Sequence, residues 1–387
     1  MLVDAACPVC QTQKRALFFE LLAVPIYCNL LWPTRAQAQT CPRGDIQLAF
    51  CDCCGLISNV AFDADQLGYS QAYENSLHYS PRFQAYADAL AQRLVTQYAL
   101  YDKAIVEVGC GKGDFLMSLC QLGNNRGTGF DNSYVPRPEH AVLQNRVSFV
   151  QDFYSARYAD CPADFVCCRQ VLEHVLDPAE LLLPVRQAAG ESTVFFEVPN
   201  ALHTFQNLAI WDIIYEHCTY FTPSSLRYAF WRNGYHVQAV TEEFGGQFLG
   251  LVAQPTSDAI AAMPPALSEL PALLANFKAT FEQTIQTWQQ EIAALREAGK
   301  RAVIWGAGSK GVTFLNLLNL QDEIDYAVDI NPRKQGKYVA GTGQQIVPPD
   351  QMADYRPDVV IVMNPLYQAE IAQTLADMGL KPDLWCV

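Results

Sequence analysis

Two groups of residues in this chain have the types and spacing that chemistry needs. The first is a pair of CxxC knuckles, Cys7-Pro-Val-Cys10 and Cys51-Asp-Cys53-Cys54. Each knuckle turns back on itself and presents two sulfurs to one point, so Cys7, Cys10, Cys51 and Cys54 can place four thiolates around one Zn²⁺. Four thiolates fill the coordination sphere, which makes such a zinc structural. Cys53 is the nearest rival ligand, with Cys41 and Cys28 behind it, and buried free thiols are the plain alternative. The second group is Trp211-Asp-Ile-Ile-Tyr215-Glu216-His217-Cys-Thr-Tyr220-Phe221, a Glu-His pair among four aromatics. An imidazole suits proton abstraction near neutrality. Glu216 can hold the ring or reach a substrate, and the hydroxyl of Tyr215 or Tyr220 can hydrogen-bond a developing oxyanion. A solvated turn carrying a surface histidine is the alternative.

Two glycine loops follow apolar runs. In Val106-Glu107-Val-Gly109-Cys-Gly111-Lys-Gly113-Asp an acid ends the strand and glycines fill the turn. S-adenosylmethionine (SAM) is a sulfonium carrying an amino-acid tail and an adenosine. A bare glycine backbone lets it lie close, and the carboxylate of Glu107 suits its ammonium group. Asp131 ends the next strand where an acid can accept from ribose hydroxyls. Asp152 and Phe153 follow the third strand, placed for an adenine amino group and ring. Gln170 follows the fourth, ahead of Glu173-His174. A single glycine turn is weak evidence, because many strand-to-helix turns need glycine for backbone reasons alone. The second loop, Trp305-Gly306-Ala-Gly308-Ser-Lys310-Gly311, has dinucleotide-binding spacing, with Asp329 near the place of a ribose acid. Lys310, Arg333, Lys334 and Lys337 form the densest basic cluster of the chain, either a solvated loop or a site for an anionic substrate.

These residues need elements to hold them. At 387 residues the chain expects more than one domain. Residues 1–62 are rich in Cys and Pro with little periodicity, as a small metal-stapled module would be. Residues 63–254 open with an amphipathic helix, FQAYADALAQRLVTQYAL, and then alternate strands (AIVEVG, GTGFD, VSFVQ, DFVCCRQ, TVFFEVP) with helical sequence. That alternation predicts an α/β fold with a parallel sheet. Residues 255–300 read as a Pro-rich join and a long helix ending at Gly299. Residues 301–387 restart the alternation with RAVIW, YAVDI and DVVIVMN, a smaller α/β unit.

Half the residues are hydrophobic and 17% are charged, which suits a compact enzyme. A formal charge of −14 argues against nucleic acid as a partner. The apolar stretch LFFELLAVPIYCNLLW is interrupted and too short for a membrane span, so it reads as buried strands or turns. The N-terminus lacks the order of a secretory signal. Fourteen cysteines then point to thiols or metal ligation, and the cytoplasm is the expected location.

Taken in order, the four stretches around the first glycine loop closely resemble class I SAM-dependent methyltransferases. The resemblance implies a Rossmann-like SAM domain whose pocket is lined by Glu107, Gly109, Gly111, Asp131, Asp152, Phe153 and Gln170. The whole chain resembles the three-domain sugar C-methyltransferases of deoxysugar biosynthesis: a double-CxxC zinc module, a SAM domain with a Tyr-Glu-His segment, and a smaller Rossmann-like WGAG unit. In that family a nucleotide-linked 4-keto sugar loses a proton beside its ketone, and the enolate carbon takes the methyl group of SAM. The resemblance makes His217 the base, with Glu216 assisting, Tyr215 or Tyr220 near the oxyanion, and Tyr79 covering the substrate pocket. It also makes the C-terminal unit a platform for the substrate, with Lys310, Arg333, Lys334 and Lys337 toward its diphosphate. O- or N-methylation of another small molecule stays open, as do an NAD-dependent oxidoreductase built on residues 301–387 and a zinc-anchored interaction protein.

Overall fold

The computed structural model describes residues 2–13, 15–68, 71–143, 145–161, 163–257 and 269–387. Most of the Pro-rich join, residues 258–268, lies outside the described residues. Three sheets organise the rest.

The N-terminal sheet is antiparallel and contains β1 (Leu2–Val3), β2 (Arg15–Pro25), β3 (Arg43–Phe50) and β4 (Ile57–Asn59). Its last strand, β10 (Thr219–Tyr220), comes from far down the chain and pairs Thr219 with Ser58 and Tyr220 with Ile57. The apolar stretch near the N-terminus is thus mostly strand. β2 buries Phe19 and Leu21 while Glu20 and Leu22 face out, the alternation expected of a half-covered sheet, and a register shift between Leu17 and Phe19 accompanies the burial of Phe18 as well.

The central sheet contains β5 (Ala104–Val108), β6 (Arg126–Phe130), β7 (Val147–Val150), β8 (Phe165–Arg169), β9 (Thr193–Pro199), β11 (Tyr235–Glu243) and β12 (Phe248–Pro255). Its order is β11-β12-β9-β8-β5-β6-β7. The first five strands are parallel, and the β11–β12 hairpin adds antiparallel to β9. The inner strands are short, nearly continuous apolar runs. That composition fits strands covered on both faces by helices. Strand order reverses between β5 and β8, which opens a crevice at their carboxyl ends, where such sheets bind ligands.

The C-terminal sheet is wholly parallel, with β13 (Ala302–Trp305), β14 (Tyr326–Val328), β15 (Gln345–Val347), β16 (Val359–Val362) and β17 (Asp383–Cys386) in the order β15-β14-β13-β16-β17. It is larger than the three strands its sequence suggested, because β15 is only three residues long and β17 is half exposed. The helix Leu270–Glu297 is a strut between units. Phe277 and Phe281 meet Phe19 of β2 edge-on at 5.3 and 4.9 Å, and Trp288 meets Phe314 and Trp385 at the far end.

Polar contacts dock the C-terminal sheet over the central crevice. Gln247 and Asn364 exchange two amide hydrogen bonds of 2.9 and 3.0 Å. Glu370 accepts from the Ser80 hydroxyl at 2.9 Å, at the N-terminus of the helix Pro81–Gln97. Lys310 pairs with Asp212 at 2.6 Å.

Candidate functional site

Between the central and C-terminal sheets lies a cavity of about 320 Å³. The central unit supplies Gln170, Glu173, His174, His217, Thr219 and Tyr220; the segment before the helix Pro81–Gln97 supplies Tyr73, Leu77 and Tyr79. Trp305, Gly306, Lys310, Asp329 and Lys334 close it from the C-terminal unit.

Glu173 and His174 sit on a short turn just beyond β8, and His217 sits two residues before β10. The two imidazoles meet edge to face with centroids 5.0 Å apart. One ligand atom from each of Glu173, His174 and His217 lies within 4.8 Å of the others. His174 bonds the Glu216 carbonyl through Nδ1 at 2.8 Å. A carbonyl only accepts, so Nδ1 carries the hydrogen of the neutral ring and Nε2 is its unprotonated nitrogen. Burial pushes the pKa of His174 down to about 4 and that of His217 well below the ordinary histidine value, with His174 adding to the effect on His217. Both rings are neutral at pH 7. Glu173 is buried, its two carboxyl oxygens have no hydrogen-bond partner among the described residues, and burial raises its pKa to about 8.

The other members of the Tyr-Glu-His segment point elsewhere. Adjacent side chains in a turn diverge, and Glu216 turns from the cavity to accept the Cys28 backbone N–H at 2.9 Å. The Tyr215 hydroxyl accepts the Asp63 N–H at 3.0 Å, anchoring the segment to the N-terminal module. Tyr220 lines the cavity, but its hydroxyl both donates to and accepts from the Ile214 backbone, at 3.0 and 3.1 Å. Tyr79 lines the cavity with its ring partly exposed.

At the first glycine loop, Asp131 braces the turn. Its carboxylate accepts the Gly111 N–H at 2.8 Å and the Ser133 N–H and hydroxyl at 2.7 Å. Lys112 reaches back to the Ser133 carbonyl at 2.6 Å and pins the loop that follows β6, a role its position alone did not signal. Asp152 accepts from Tyr158 at 2.6 Å and pairs with Arg157, beside an exposed Phe153. Gln170 donates to Glu197, which also pairs with Arg169 at 3.0 Å, a buried pair whose network extends to the half-buried Tyr86 hydroxyl. Two features suit a bound SAM. A Cβ built on Gly111 would meet nothing within 4 Å, and Glu107 keeps one buried carboxyl oxygen without a partner. A cationic amino group there would satisfy that oxygen and draw the Glu107 pKa down from about 8, where burial holds it.

The second loop is built like the first. Asp329 accepts the Ala307 N–H at 3.0 Å, as Asp131 does for Gly111. Gly306 has φ +116°, and a Cβ on Gly311 would fall 2.1 Å from the Gly306 carbonyl, so backbone geometry and helix packing account for both glycines. The basic cluster divides. Lys310 and Lys334 line the cavity. Lys334 is nearly buried and spans Asp329 and the Ala307 carbonyl. Arg333 pairs with Glu74 at 3.7 Å, and neither it nor Lys337 lines the cavity.

The four paired cysteines do converge. Cys7 and Cys54 sulfurs are 3.5 Å apart and those of Cys10 and Cys51 3.4 Å, and all four lie within 4.8 Å of one another. Tetrahedral bonds of about 2.3 Å to zinc would set the sulfurs ~3.8 Å apart, so the donor set fits. Cys53 is exposed, and Cys28 and Cys41 pack in a different core. Buried Arg15, which the spacing gave no reason to single out, bonds Ser58 and places a positive charge near the thiols.

Comparison with known proteins agrees with this layout. Residues 80–240 match the family described as a methyltransferase domain, and residues 266–381 match the C-methyltransferase C-terminal domain. The C-methyltransferase NovU of Streptomyces niveus is 29% identical over 54% of this chain and 53% of its own length. The ubiquinone biosynthesis O-methyltransferase of Yersinia enterocolitica serotype O:8 / biotype 1B is 32% identical over 26% of this chain and 44% of its own. The chain spans about half the length of the curated relatives it matches. Among solved structures, the 1,6-didemethyltoxoflavin-N1-methyltransferase of Burkholderia thailandensis aligns with a TM-score of 0.35 at 16% identity, covering 44% of this chain and 79% of its own. Along the chain, a match to a methyltransferase domain is thus followed by a match to the C-terminal domain of the C-methyltransferases.

Proposed function

We propose that this protein C-methylates a ketone-bearing small molecule with SAM, most simply a nucleotide-linked keto-deoxysugar, through an enolate formed by His217. The observation that carries this reading is a neutral imidazole in the wall of a cavity at the carboxyl ends of the central strands. The match of residues 266–381 to a C-methyltransferase domain supports carbon over oxygen or nitrogen as the acceptor. SAM, when bound, supplies an electrophilic methyl group. Glu107 and the glycine turn at Gly109 and Gly111 would hold it, with Asp131 bracing the turn and Asp152, Phe153 and Gln170 along the same strand ends.

His217 takes the proton from the carbon beside the ketone, and the electron pair of that C–H bond becomes the enolate. Methylation of that carbon restores the ketone, and His217 returns the proton to solvent. His174, neutral and hydrogen-bonded to the Glu216 carbonyl, fixes the segment on which His217 rides. Among the described residues, Lys310 and Lys334 are the two cations lining the cavity, and they would meet an anionic portion of the acceptor such as a diphosphate. Cys7, Cys10, Cys51 and Cys54 hold a structural zinc in this reading. Such an enzyme works in the cytoplasm, where nucleotide sugars are made.

The test is solvent deuterium exchange at the carbon beside the ketone of a nucleoside-diphosphate 4-keto-6-deoxyhexose, with S-adenosylhomocysteine (SAH) bound. Exchange by the wild type that is lost in His217→Ala is the expected result. Full turnover by His217→Ala would remove the enolate reading. Because the pKa of His217 is depressed, activity should hold from neutral pH into the acid range and fall only when the ring protonates.

A further inference from the structure

An imidazole held neutral by burial is a weak base. Removing a proton beside a ketone therefore depends on whatever stabilises the oxyanion that forms. The two tyrosine hydroxyls flanking His217 in sequence are engaged: Tyr215 with Asp63, and Tyr220 with both backbone groups of Ile214. Glu173 is different. It lines the cavity beside both imidazoles, and among the described residues neither carboxyl oxygen is hydrogen-bonded. Its nearest ring nitrogen, Nε2 of His174, is 3.9 Å away, too far for a hydrogen bond.

We propose that Glu173 acts as a neutral carboxylic acid that donates a hydrogen bond to the acceptor's oxyanion while His217 removes the proton. This rests on the enolate reading and adds a catalytic residue to it. The proton count closes: the substrate C–H proton goes to His217, the Glu173 proton stays on Glu173 and is shared with the enolate oxygen, and the C–S bond of SAM breaks as the C–C bond forms. The surroundings favour the neutral acid. Glu197 on β9 faces it as a like charge, Cys168 on β8 and Cys218 before β10 are un-ionised thiols, and His174 and His217 are neutral. A buried carboxyl kept protonated near pH 7 to serve as a donor has precedent in ketosteroid isomerase.

Infrared difference spectra of the full-length protein, wild type minus Glu173→Gln, test this without substrate. A protonated-carboxyl C=O band should be present below pH 8 and lost above it. The subtraction is needed because Glu107 is raised to the same range. Absence of the band overturns the proposal. So does a divalent ion, beyond the zinc, that is lost from His174→Ala, because a metal there would need Glu173 ionised. In the exchange assay, Glu173→Ala should lose on the order of 10²–10³ in rate, the usual loss for a deleted oxyanion donor. Glu173→Gln keeps an N–H donor, so it should lose less and should no longer fall off through pH 8. Glu173→Asp keeps the acid and should keep that alkaline limb. SAH affinity reports folding for each variant. Wild-type turnover and an unchanged alkaline limb in Glu173→Gln overturn the donor role. No exchange by the wild type, with the band present, refutes the enolate reading and the donor role with it.

Discussion

Gly109 and Gly111 sit two residues apart in one loop and should respond in opposite ways to a single added methyl group. Both have φ in the left-handed region, +68° and +55°. Alanine there costs roughly 1–2 kcal/mol of folding stability from backbone strain. At Gly109 the new Cβ would also fall 2.1 Å from Cγ2 of Val171, inside the packed turn after β8. Overpacking adds about 1–3 kcal/mol, so Gly109→Ala should lose ~2–5 kcal/mol in all. At Gly111 the Cβ meets nothing within 4 Å, so only the strain remains. That open space is where we place the cofactor. Gly111→Ala should therefore fold, with a melting temperature lower by only a few degrees, on the order of 2–4 °C per kcal/mol. Its dissociation constant for SAH should rise by about ten- to a hundredfold, the equivalent of 1–3 kcal/mol. Thermal melts and calorimetric titration with SAH measure the two quantities separately. A Gly111→Ala protein that binds SAH as the wild type does would refute the placement. A Gly109→Ala protein as stable as Gly111→Ala would refute the packing argument.

Three further outcomes are expected. Metal analysis should find one zinc per chain, lost in Cys54→Ser. Structural zinc carries about 10–16 kcal/mol of binding energy in small modules, so activity should be lost with it. Lys310→Ala removes a partly buried ion pair with Asp212, worth about 1–2 kcal/mol, and should raise the acceptor's KM while leaving SAH affinity unchanged. Lys334→Glu, by contrast, should appear first as a lower melting temperature, because Lys334 is nearly buried against Asp329 and the Ala307 carbonyl. Tyr215→Phe should cost about 1 kcal/mol of stability through the lost Asp63 bond and leave kcat alone; a fall in kcat without a fall in melting temperature would return Tyr215 to the chemistry.

The alternation of apolar runs revealed the parallel strands of both α/β units, because a strand covered on both faces has no choice but to be apolar. AIVEVG, GTGFD, VSFVQ, DFVCCRQ and TVFFEVP cover β5 to β9 in turn, short only of Arg126 at the start of β6. The short or half-exposed strands β10, β15 and β17 bury too little to leave that signal. At the site, His217 and the CxxC cysteines stood out by residue type and spacing, and the structure puts His217 in the cavity wall and brings the four sulfurs together. Glu216 drew attention by standing next to His217, yet neighbours in sequence face apart in a turn, and its carboxylate serves Cys28 instead. The carboxyl that lies beside His217 in the cavity is Glu173, forty-four positions earlier in the turn just beyond β8, and only the fold makes the two neighbours. His174 was visible in the same stretch, but nothing local told a packed histidine from one beside His217.

The pairing of β10 with β4 has a consequence for anyone who cuts or recombines this chain. Composition breaks near residue 62, and a boundary drawn there looks natural. Removing what precedes it would strip β10 of the strand it pairs with, expose a sheet edge, and release the segment that carries His217. The unit that can be transplanted between relatives is therefore the first module together with the methyltransferase core, moved as one piece.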